Sequence, residues 1–351
     1  MKNLINATIL FLIIVLTFSC EEDDTVPLPL GDYEKGYFIT NEGPFQNGSG
    51  TLTFVDENNN VTQNVYKTVN NEDLGSLVQS MNINDDNAYI VINGSHKIVV
   101  ANRYTMKKVA IIEGDDIKNP RYFVAVGNMG YVSNWGDPGD ATDDFIAVID
   151  LNANTVTKKI PVGEGPEDML VDGNNIYVNL QGGWSQNNKV EIINTLNNSV
   201  STTLTVGDVP NAIGKDSSGA IWVLCGGKPS YTGAESNGKL AKIVNNVVTL
   251  IDFGTAEHPE NLTVESGQMY YNLNGKVYNM TTSAIELPVE EVSEFNGFYY
   301  SMKTYNGKFY VTNAADFVSE GSLKVYNITS GVLENTITTG LIPGSIVFQL
   351  R

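Results

Sequence analysis

The sequence contains very few of the residues that build disulfides and metal sites. It has two cysteines and two histidines among 351 residues. Cys20 ends an N-terminal apolar segment, which leaves Cys225 alone in the rest of the chain and excludes an intrachain disulfide there. His96 and His258 are too few for a histidine-based metal cluster. The sequence therefore predicts a fold stabilised by its apolar core, with no metal and no cofactor.

Basic residues are also scarce. The chain has 21 Lys and Arg against 40 Asp and Glu, which gives a net charge of −19. A field of this sign repels phosphate groups, so nucleic acid is excluded as a partner. No long stretch repeats its apolar residues with the roughly 3.6-residue period of a helix, which predicts very little helix.

The one long apolar run lies at the N-terminus. It covers residues 9–16, follows Lys2, and ends shortly before Cys20. The run is shorter than a membrane-spanning helix. The pattern resembles a bacterial lipoprotein signal, with Thr17 where that signal usually has leucine. This resemblance implies a signal peptide over residues 1–19 and a lipidated Cys20. The alternative is an ordinary signal peptide with an incidental cysteine.

An acidic, proline-containing segment follows the cysteine. Its sequence over residues 21–34 is EEDDTVPLPLGDYE, which predicts a solvated tether over residues 20–35 and a single domain over residues 36–351. The segment resembles the surface-export signal of lipoproteins in the Bacteroidetes lineage. That resemblance implies a lipid-anchored protein of the outer membrane, exposed at the cell surface. The alternative is a linker with no export role.

An apolar segment with an aromatic residue recurs seven times after the tether. The intervals range from 40 residues, between Tyr270 and Tyr310, to 52 residues, between Tyr37 and Tyr89. Seven repeats of this length indicate the seven blades of a β-propeller. The marker residues are Tyr37, Tyr89, Tyr131, Tyr177, Trp222, Tyr270 and Tyr310.

Each repeat continues with further segments rich in Val, Ile, Thr and Tyr, which favour half-buried antiparallel strands. Third strands are expected at residues 61–67 in the first repeat and 284–290 in the sixth. Most innermost strands begin just after a proline, where no ladder donor is needed. The last one, residues 345–350, is expected to join the first blade. The predicted fold class is all-β: a seven-bladed propeller of four-stranded antiparallel blades, its ring closed by the C-terminal strand joining the N-terminal blade.

One segment resembles a known repeat. Residues 145–178, FIAVIDLNANTVTKKIPVGEGPEDMLVDGNNIYV, are similar to the repeat of YVTN-type propellers, which has a "VID" strand, an "IPVG" strand, a proline and a "YV" strand. Weaker versions extend over nearly the whole chain after the tether. The resemblance implies the fold and says little about function, since propellers perform many activities.

Long loops are expected on one face of the propeller. They follow the second strands, whereas the connections expected on the opposite face are short turns of Asn, Asp and Gly. Five of these loops are long and each carries one aromatic residue. These residues are Phe45, Trp135, Trp184, Tyr231 and Phe317. Aromatic residues on loops of one face predict a binding surface.

Polar groups are expected beside these aromatics. The beginnings of the inner strands supply Arg121, Glu167, Asn211 and Glu260. The ends of the second strands supply Asn134, Asn179, Asn272 and Asn313. Together with the aromatics, they predict a pocket for a large neutral or zwitterionic ligand with many amides or hydroxyls. The alternative is that the aromatics pack within their own loops and the polar groups bind water.

Three classes of function compete. The anchor and architecture resemble the cobalamin-capture lipoproteins of Bacteroidetes, which implies a corrinoid (vitamin B12) ligand and a TonB-dependent transporter as partner. The second class is a protein- or glycan-binding adhesion module. An enzyme is disfavoured, because no nucleophile motif or metal-ligand spacing is present. The aspartates of residues 137–144 could supply oxygen ligands to calcium, but they match no established loop pattern.

Overall fold

The computed structural model describes residues 30–45, 47–137, 139–294 and 299–349. These residues form 28 strands, one short α-helix and one turn of 3₁₀-helix. The first fifteen strands are β1 (Gly36–Asn41), β2 (Thr51–Asp56), β3 (Val61–Thr62), β4 (Val78–Asn84), β5 (Asn87–Ile92), β6 (Lys97–Asn102), β7 (Lys108–Glu113), β8 (Pro120–Val126), β9 (Met129–Asn134), β10 (Phe145–Asp150), β11 (Thr155–Pro161), β12 (Pro166–Asp172), β13 (Asn175–Leu180), β14 (Lys189–Asn194) and β15 (Ser199–Thr205).

The remaining strands complete the fifth, sixth and seventh blades and return to the first. They are β16 (Pro210–Lys215), β17 (Ile221–Cys225), β18 (Lys239–Val244), β19 (Val247–Asp252), β20 (Glu260–Glu265), β21 (Gln268–Leu273), β22 (Lys276–Thr281), β23 (Glu291–Glu294), β24 (Tyr299–Tyr305), β25 (Lys308–Asn313), β26 (Glu320–Asn327), β27 (Leu333–Leu341) and β28 (Pro343–Phe348). Helix α1 covers Val65–Asn70, and the 3₁₀ turn covers Ser230–Thr232.

The strands form seven antiparallel sheets of four, and each sheet is one blade of a propeller. Six blades consist of four consecutive strands, from β4–β7 to β24–β27. The first blade has the order β28-β1-β2-β3, with Tyr37 opposite Phe348 and Ile39 opposite Ile346. The predicted fold class and the closure of the ring by the C-terminal strand are therefore confirmed.

The core consists of seven apolar clusters, and each lies between two neighbouring blades. In six repeats the marker aromatic packs against the following blade. The first repeat differs. In the blades of Tyr131 and Tyr177, the marker aromatic pairs with the fifth residue of the inner strand. In the first blade Phe38 occupies this position, and not Tyr37. Tyr37 faces the seventh blade instead, where its ring packs on Tyr310 at 5.3 Å between centroids.

Two predicted third strands differ in extent or position from the observed ones. In the first blade β3 ends at Thr62, and residues 65–70 form α1 after Asn64, which adopts a left-handed backbone with φ 53°. The turn of helix buries Val65 and Tyr66 in the cluster between the first two blades. In the sixth blade residues 284–290 form no strand, and β23 begins only at Glu291. Pro288 lacks the N–H that a paired strand would need.

The entry to the inner strands is built in a common way. A residue with a left-handed backbone stands directly before five of them: Ile342, Leu77, Asn119, Gly165 and Val209. The strand then bulges within its first residues in all seven blades. Bulges re-aim side chains and are frequent beside functional sites. Here they turn the first residues of each inner strand toward the central channel.

Residues 30–35, directly before β1, pack partly into the fold. The predicted signal peptide and Cys20 lie outside the described residues. Tyr33, at the end of the predicted tether, is buried and packs on Phe38 and Phe54. Within the described ranges, no helix is long and apolar enough to cross a membrane.

Candidate functional site

The candidate site lies on one face of the ring, which we call the loop face. It consists of the beginnings of the inner strands and of the loops that follow the second strands. The register pairs Asn41 with Pro343, Asn134 with Pro120 and Leu180 with Pro166, so each second strand ends where an inner strand begins. The five long loops therefore share this face, as predicted. They cover residues 42–50, 135–144, 181–188, 226–238 and 314–319.

Two adjoining cavities open around the mouth of the central channel. The central cavity has a volume of about 550 Å³ and is lined by inner-strand residues of all seven blades. The side pocket has a volume of about 380 Å³ and lies beside it, over the fifth and sixth blades. The two share Gln181, Asn211, Asn261 and Tyr300 as lining residues. A ligand on the loop face could therefore reach into both.

One residue at the start of each inner strand contributes to a polar ring at the mouth of the channel; it is the first residue of β20 and the second residue of the other six strands. Its seven members are Gly344, Gln79, Arg121, Glu167, Asn211, Glu260 and Tyr300. Four of them, Arg121, Glu167, Asn211 and Glu260, are predicted site residues. Arg121, Glu167 and Asn211 line the central cavity, whereas Glu260 lines the side pocket beside it.

Arg121 bonds to two other members of this ring. Its Nε and Nη2 donate to the two carboxylate oxygens of Glu167 at 2.8 and 3.3 Å, and Nη1 donates to Gln79. The guanidinium also lies over the Trp135 ring, 4.4 Å from its centroid. Burial raises the pKa of Glu167, and the adjacent guanidinium opposes that rise. The pair is thus a nearly neutral unit of fixed geometry.

Tyr300 and Glu42 form a second bonded pair in the wall of the central cavity. The Tyr300 hydroxyl donates to Glu42 at 2.7 Å, and the Phe317 ring packs edge-on against Tyr300 at 6.0 Å. Burial raises the pKa of Glu42, while Tyr300 and Arg121 act in the opposite direction. The carboxylate of Glu42 is therefore committed to its neighbours.

Deeper in the channel, Asp168 and Lys303 compensate each other. Burial raises the pKa of Asp168, and the positive charge of Lys303 opposes this rise. Lys303 is exposed to the cavity but enclosed by the inner strands, and this enclosure lowers its pKa. Most charges of the central cavity are therefore matched by an opposite charge nearby.

The five predicted aromatics divide into two groups. Trp135 and Phe317 pack against ring residues, as described above. Phe45, Trp184 and Tyr231 remain 74%, 75% and 87% exposed. Tyr231 also lines the side pocket. The alternative that the aromatics pack within their own loops therefore does not hold for these three.

The four asparagines predicted at second-strand ends do not line either cavity. Asn134 is buried and bonds to the backbone of Lys118 and Val132, and Asn313 caps the turn at Ala315. Asn179 and Asn272 are buried and have side-chain atoms without a partner in the described structure. These positions lie away from both cavities, because the second strands lie behind the inner strands that line the channel.

Several lining residues were missed. Gln79 and Tyr300 occupy ring positions, yet no proline precedes their strands. A fixed spacing in the sequence could have identified them. The ring residue lies three positions before the inner-strand partner of the marker aromatic, as Gln79 precedes Asn82, which pairs with Tyr89.

The aspartates of the 137–144 loop act as loop caps. Asp143 accepts from the Asp137 amide, Asp140 from Thr142, and Asp144 from Gly165. In the part of the chain that the structure describes, no three His, Cys, Asp or Glu residues are grouped to hold a metal ion.

Asp144 gives the protein a specific pH dependence. Burial raises the pKa of Asp144 from 3.8 to about 7, and Asp143, Glu164 and Asp140 add to the rise. The folded state therefore holds this proton more tightly than the unfolded chain. Its contribution to stability is complete below about pH 4 and is lost as the pH rises to about 7.

We expect Asp144→Asn to reduce this loss, because the amide keeps an acceptor for Gly165 without a charge. The melting temperature of the wild type should fall between pH 5 and pH 8 by several degrees more than that of the variant. Glu290→Gln, which alters an exposed acid, is the control and should follow the wild type. Parallel curves for all three proteins would contradict the assignment.

The fold and the site together define a seven-bladed β-propeller with a polar channel and an aromatic loop face. The chain belongs to the family described as "Domain of unknown function (DUF5074)", whose model matches residues 35–335. No curated protein matches the sequence.

Many solved structures share the fold at low sequence identity. A functionally unknown protein from Desulfotomaculum acetoxidans is 14% identical, with a TM-score of 0.67 over 90% of this chain and 99% of that one. A hypothetical selenium-binding protein from Sulfolobus tokodaii is 11% identical, with a TM-score of 0.65 over 90% and 93%. A candidate 6-phosphogluconolactonase from Bacteroides uniformis is 11% identical, with a TM-score of 0.62 over 90% and 99%. At these identities the likeness shows the fold alone.

Proposed function

We propose that the loop face captures a large neutral or zwitterionic small molecule, and that a corrinoid such as cobalamin is the first ligand to test. The observation that carries this proposal is the set of exposed rings of Phe45, Trp184 and Tyr231 on the same face as a polar ring. Exposed aromatics supply large rigid contact area at low entropic cost. The polar ring beside them supplies hydrogen bonds that orient a ligand.

The charges of the central cavity support a ligand of low net charge. Arg121 is bonded to Glu167, and Lys303 faces Asp168. A strongly charged ligand would have to break one of these pairs, and leaving a buried partner unpaired is costly. A ligand rich in amides can instead exchange hydrogen bonds with the ring and keep the pairs intact.

The size of the openings favours binding across the mouth of the channel. The central cavity of about 550 Å³ is too small for a whole corrinoid. Such a ligand would lie on the aromatic side chains of the loop face, with only its peripheral groups entering the two cavities. Its flat apolar macrocycle would cover Trp184 and Tyr231.

The N-terminal residues support a surface role for this capture. We propose that lipidated Cys20 anchors the protein in the outer membrane and that the bound ligand passes to a TonB-dependent transporter. Membrane fractionation of cells tests the anchor. Cys20→Ala should leave the membrane fraction, and retention of the variant there would contradict it.

Fluorescence titration of the mature protein with cyanocobalamin tests the ligand. Among the three tryptophans, Trp222 is fully buried and Trp184 is exposed. Saturable quenching at micromolar ligand is expected, with a smaller response in Trp184→Phe and weaker binding in Trp184→Ala. Calorimetry on the same samples excludes light absorption by the ligand as the cause. Leu196→Ala, an exposed apolar residue away from the long loops, is the control variant.

The absence of heat and of saturable quenching would refute corrinoid capture. In that event, binding of glycans or of outer-membrane proteins to the same face, lost in Trp184→Ala, would support the adhesion module instead.

A further inference from the structure

The side pocket differs from the central cavity in its unmatched acceptors. The Glu260 carboxylate lines it, and no hydrogen bond from a described residue reaches that carboxylate. Asn211 donates to the Pro259 carbonyl at 2.9 Å, which leaves its buried Oδ1 without a partner in the described structure. The pocket therefore presents a carboxylate and an amide oxygen that both require a donor.

No lysine or arginine lines this pocket. The imidazole of His258 also lines the pocket, but both of its nitrogens are engaged. Nδ1 lies 2.7 Å from the Gly226 carbonyl, which can only accept, so Nδ1 carries the hydrogen. Nε2 lies 3.3 Å from a carboxylate oxygen of Glu235. An anionic ligand would therefore find no free cation here, while a cationic donor would find Glu260.

The walls of the pocket suit an organic cation. Tyr231, Tyr299 and Tyr300 contribute to its lining, and the Tyr231 ring is mostly exposed. Aromatic rings attract ammonium groups through their negative faces, and a nearby carboxylate adds direct electrostatic attraction. A pocket of about 380 Å³ has room for a substituted ammonium group.

We propose that the side pocket is a subsite for an organic ammonium group, held by the Glu260 carboxylate and the tyrosine walls. This inference rests on the proposed function in one respect: the ammonium group would be the cationic end of a zwitterionic ligand whose body lies on the loop face. The subsite itself is complete without that body, so small probes can test it alone.

Choline and its neutral isostere 3,3-dimethylbutan-1-ol are the matched probes. The two have nearly the same shape, and the isostere has a neutral carbon where choline has its positively charged nitrogen. Saturation-transfer NMR on the folded mature protein should show saturable binding of choline, and binding of the isostere at least about tenfold weaker. Equal binding of the two probes, or binding of neither, would overturn the proposal.

Two variants and one control locate the binding. Glu260→Gln should weaken choline at least about tenfold, and Tyr231→Ala by several-fold. Glu260→Gln should fold normally, because enclosure already raises the pKa of this carboxyl and the amide carries no charge. Glu290→Gln removes the same charge from an exposed site of the sixth blade and should bind choline like the wild type. An equal loss in Glu290→Gln would attribute the effect to net charge and overturn the subsite.

The corrinoid titration keeps the two proposals separate. A protein that binds cyanocobalamin but not choline refutes the subsite and leaves corrinoid capture intact. A protein that binds choline in a Glu260-dependent way but no corrinoid supports the subsite and refutes the corrinoid.

Discussion

Ending the chain after Leu341 is expected to prevent the propeller from forming a stable fold. The deletion removes β28, which is the inner strand of the first blade and pairs with β1. Ile346 is buried between the seventh and first blades, and Phe348 stacks on Tyr305 at 4.3 Å. Removing two such side chains costs roughly 2–5 kcal/mol each, which is comparable with the whole stability of a typical domain. The deletion also exposes the edge of β1 to aggregation.

Labelling of Cys225 measures the loss. This thiol is buried within the fifth blade, and burial raises its pKa to about 12, so it should be inert in the folded protein. In the truncated chain, Cys225 should be labelled as fast as in the unfolded protein. The control ends after Gln349, which keeps β28 and the bonds of Gln349 to Tyr33 and Arg103. A truncated protein that protects Cys225 as the full chain does would show that closure is dispensable.

Arg121→Met is expected to lower the free energy of unfolding by about 3–5 kcal/mol at neutral pH. The variant leaves Glu167, which is almost fully buried, without its bidentate partner, and it also removes the cation that offsets Glu42. Trp135 loses the guanidinium that covers its ring. The loss should become smaller as the pH falls, because burial raises the pKa of Glu167 and a protonated carboxyl needs no counter-charge.

Urea unfolding of two further variants makes this result specific. Arg121→Met combined with Glu167→Gln should recover part of the stability, because it removes both members of the pair. Lys215→Met breaks an exposed bridge to Asp172 at the other end of the channel. Solvent screens that bridge, so its loss should cost less than about 1 kcal/mol. Equal decreases in the free energy of unfolding for Arg121→Met and Lys215→Met would show that the Arg121–Glu167 pair stabilises the fold no more than an exposed salt bridge does.

The repeat and its closure were predictable because their signals are local. An aromatic in each second strand, turn residues on one side and long loops on the other are all readable from the chain. Reliance on local signals also explains why Tyr37 was assigned as the marker of the first blade in place of Phe38. Tyr37 and Phe38 are adjacent, and only the pairing of Phe38 with Val347, more than three hundred positions away, decides which of them faces the second blade.

The site was predictable only in part, because the availability of a polar group depends on distant neighbours. The inner-strand residues Arg121 and Glu167 were found from their position, but their bond joins different blades and has no sequence signal. Asn134 and Asn211 are the same residue type, yet both polar atoms of the Asn134 amide are bonded to backbone groups of Lys118 and Val132. The orientation of Trp135 inward and of Trp184 outward likewise follows from what each loop packs against.

Hydrogen exchange with and without saturating cyanocobalamin tests the binding face most directly. Protection is predicted in the loops at 42–45, 181–187 and 226–237, with no change in the turns at 84–87 and 172–175 on the opposite face. Protection confined to those turns, or no protection in any of these segments, would contradict capture on the loop face.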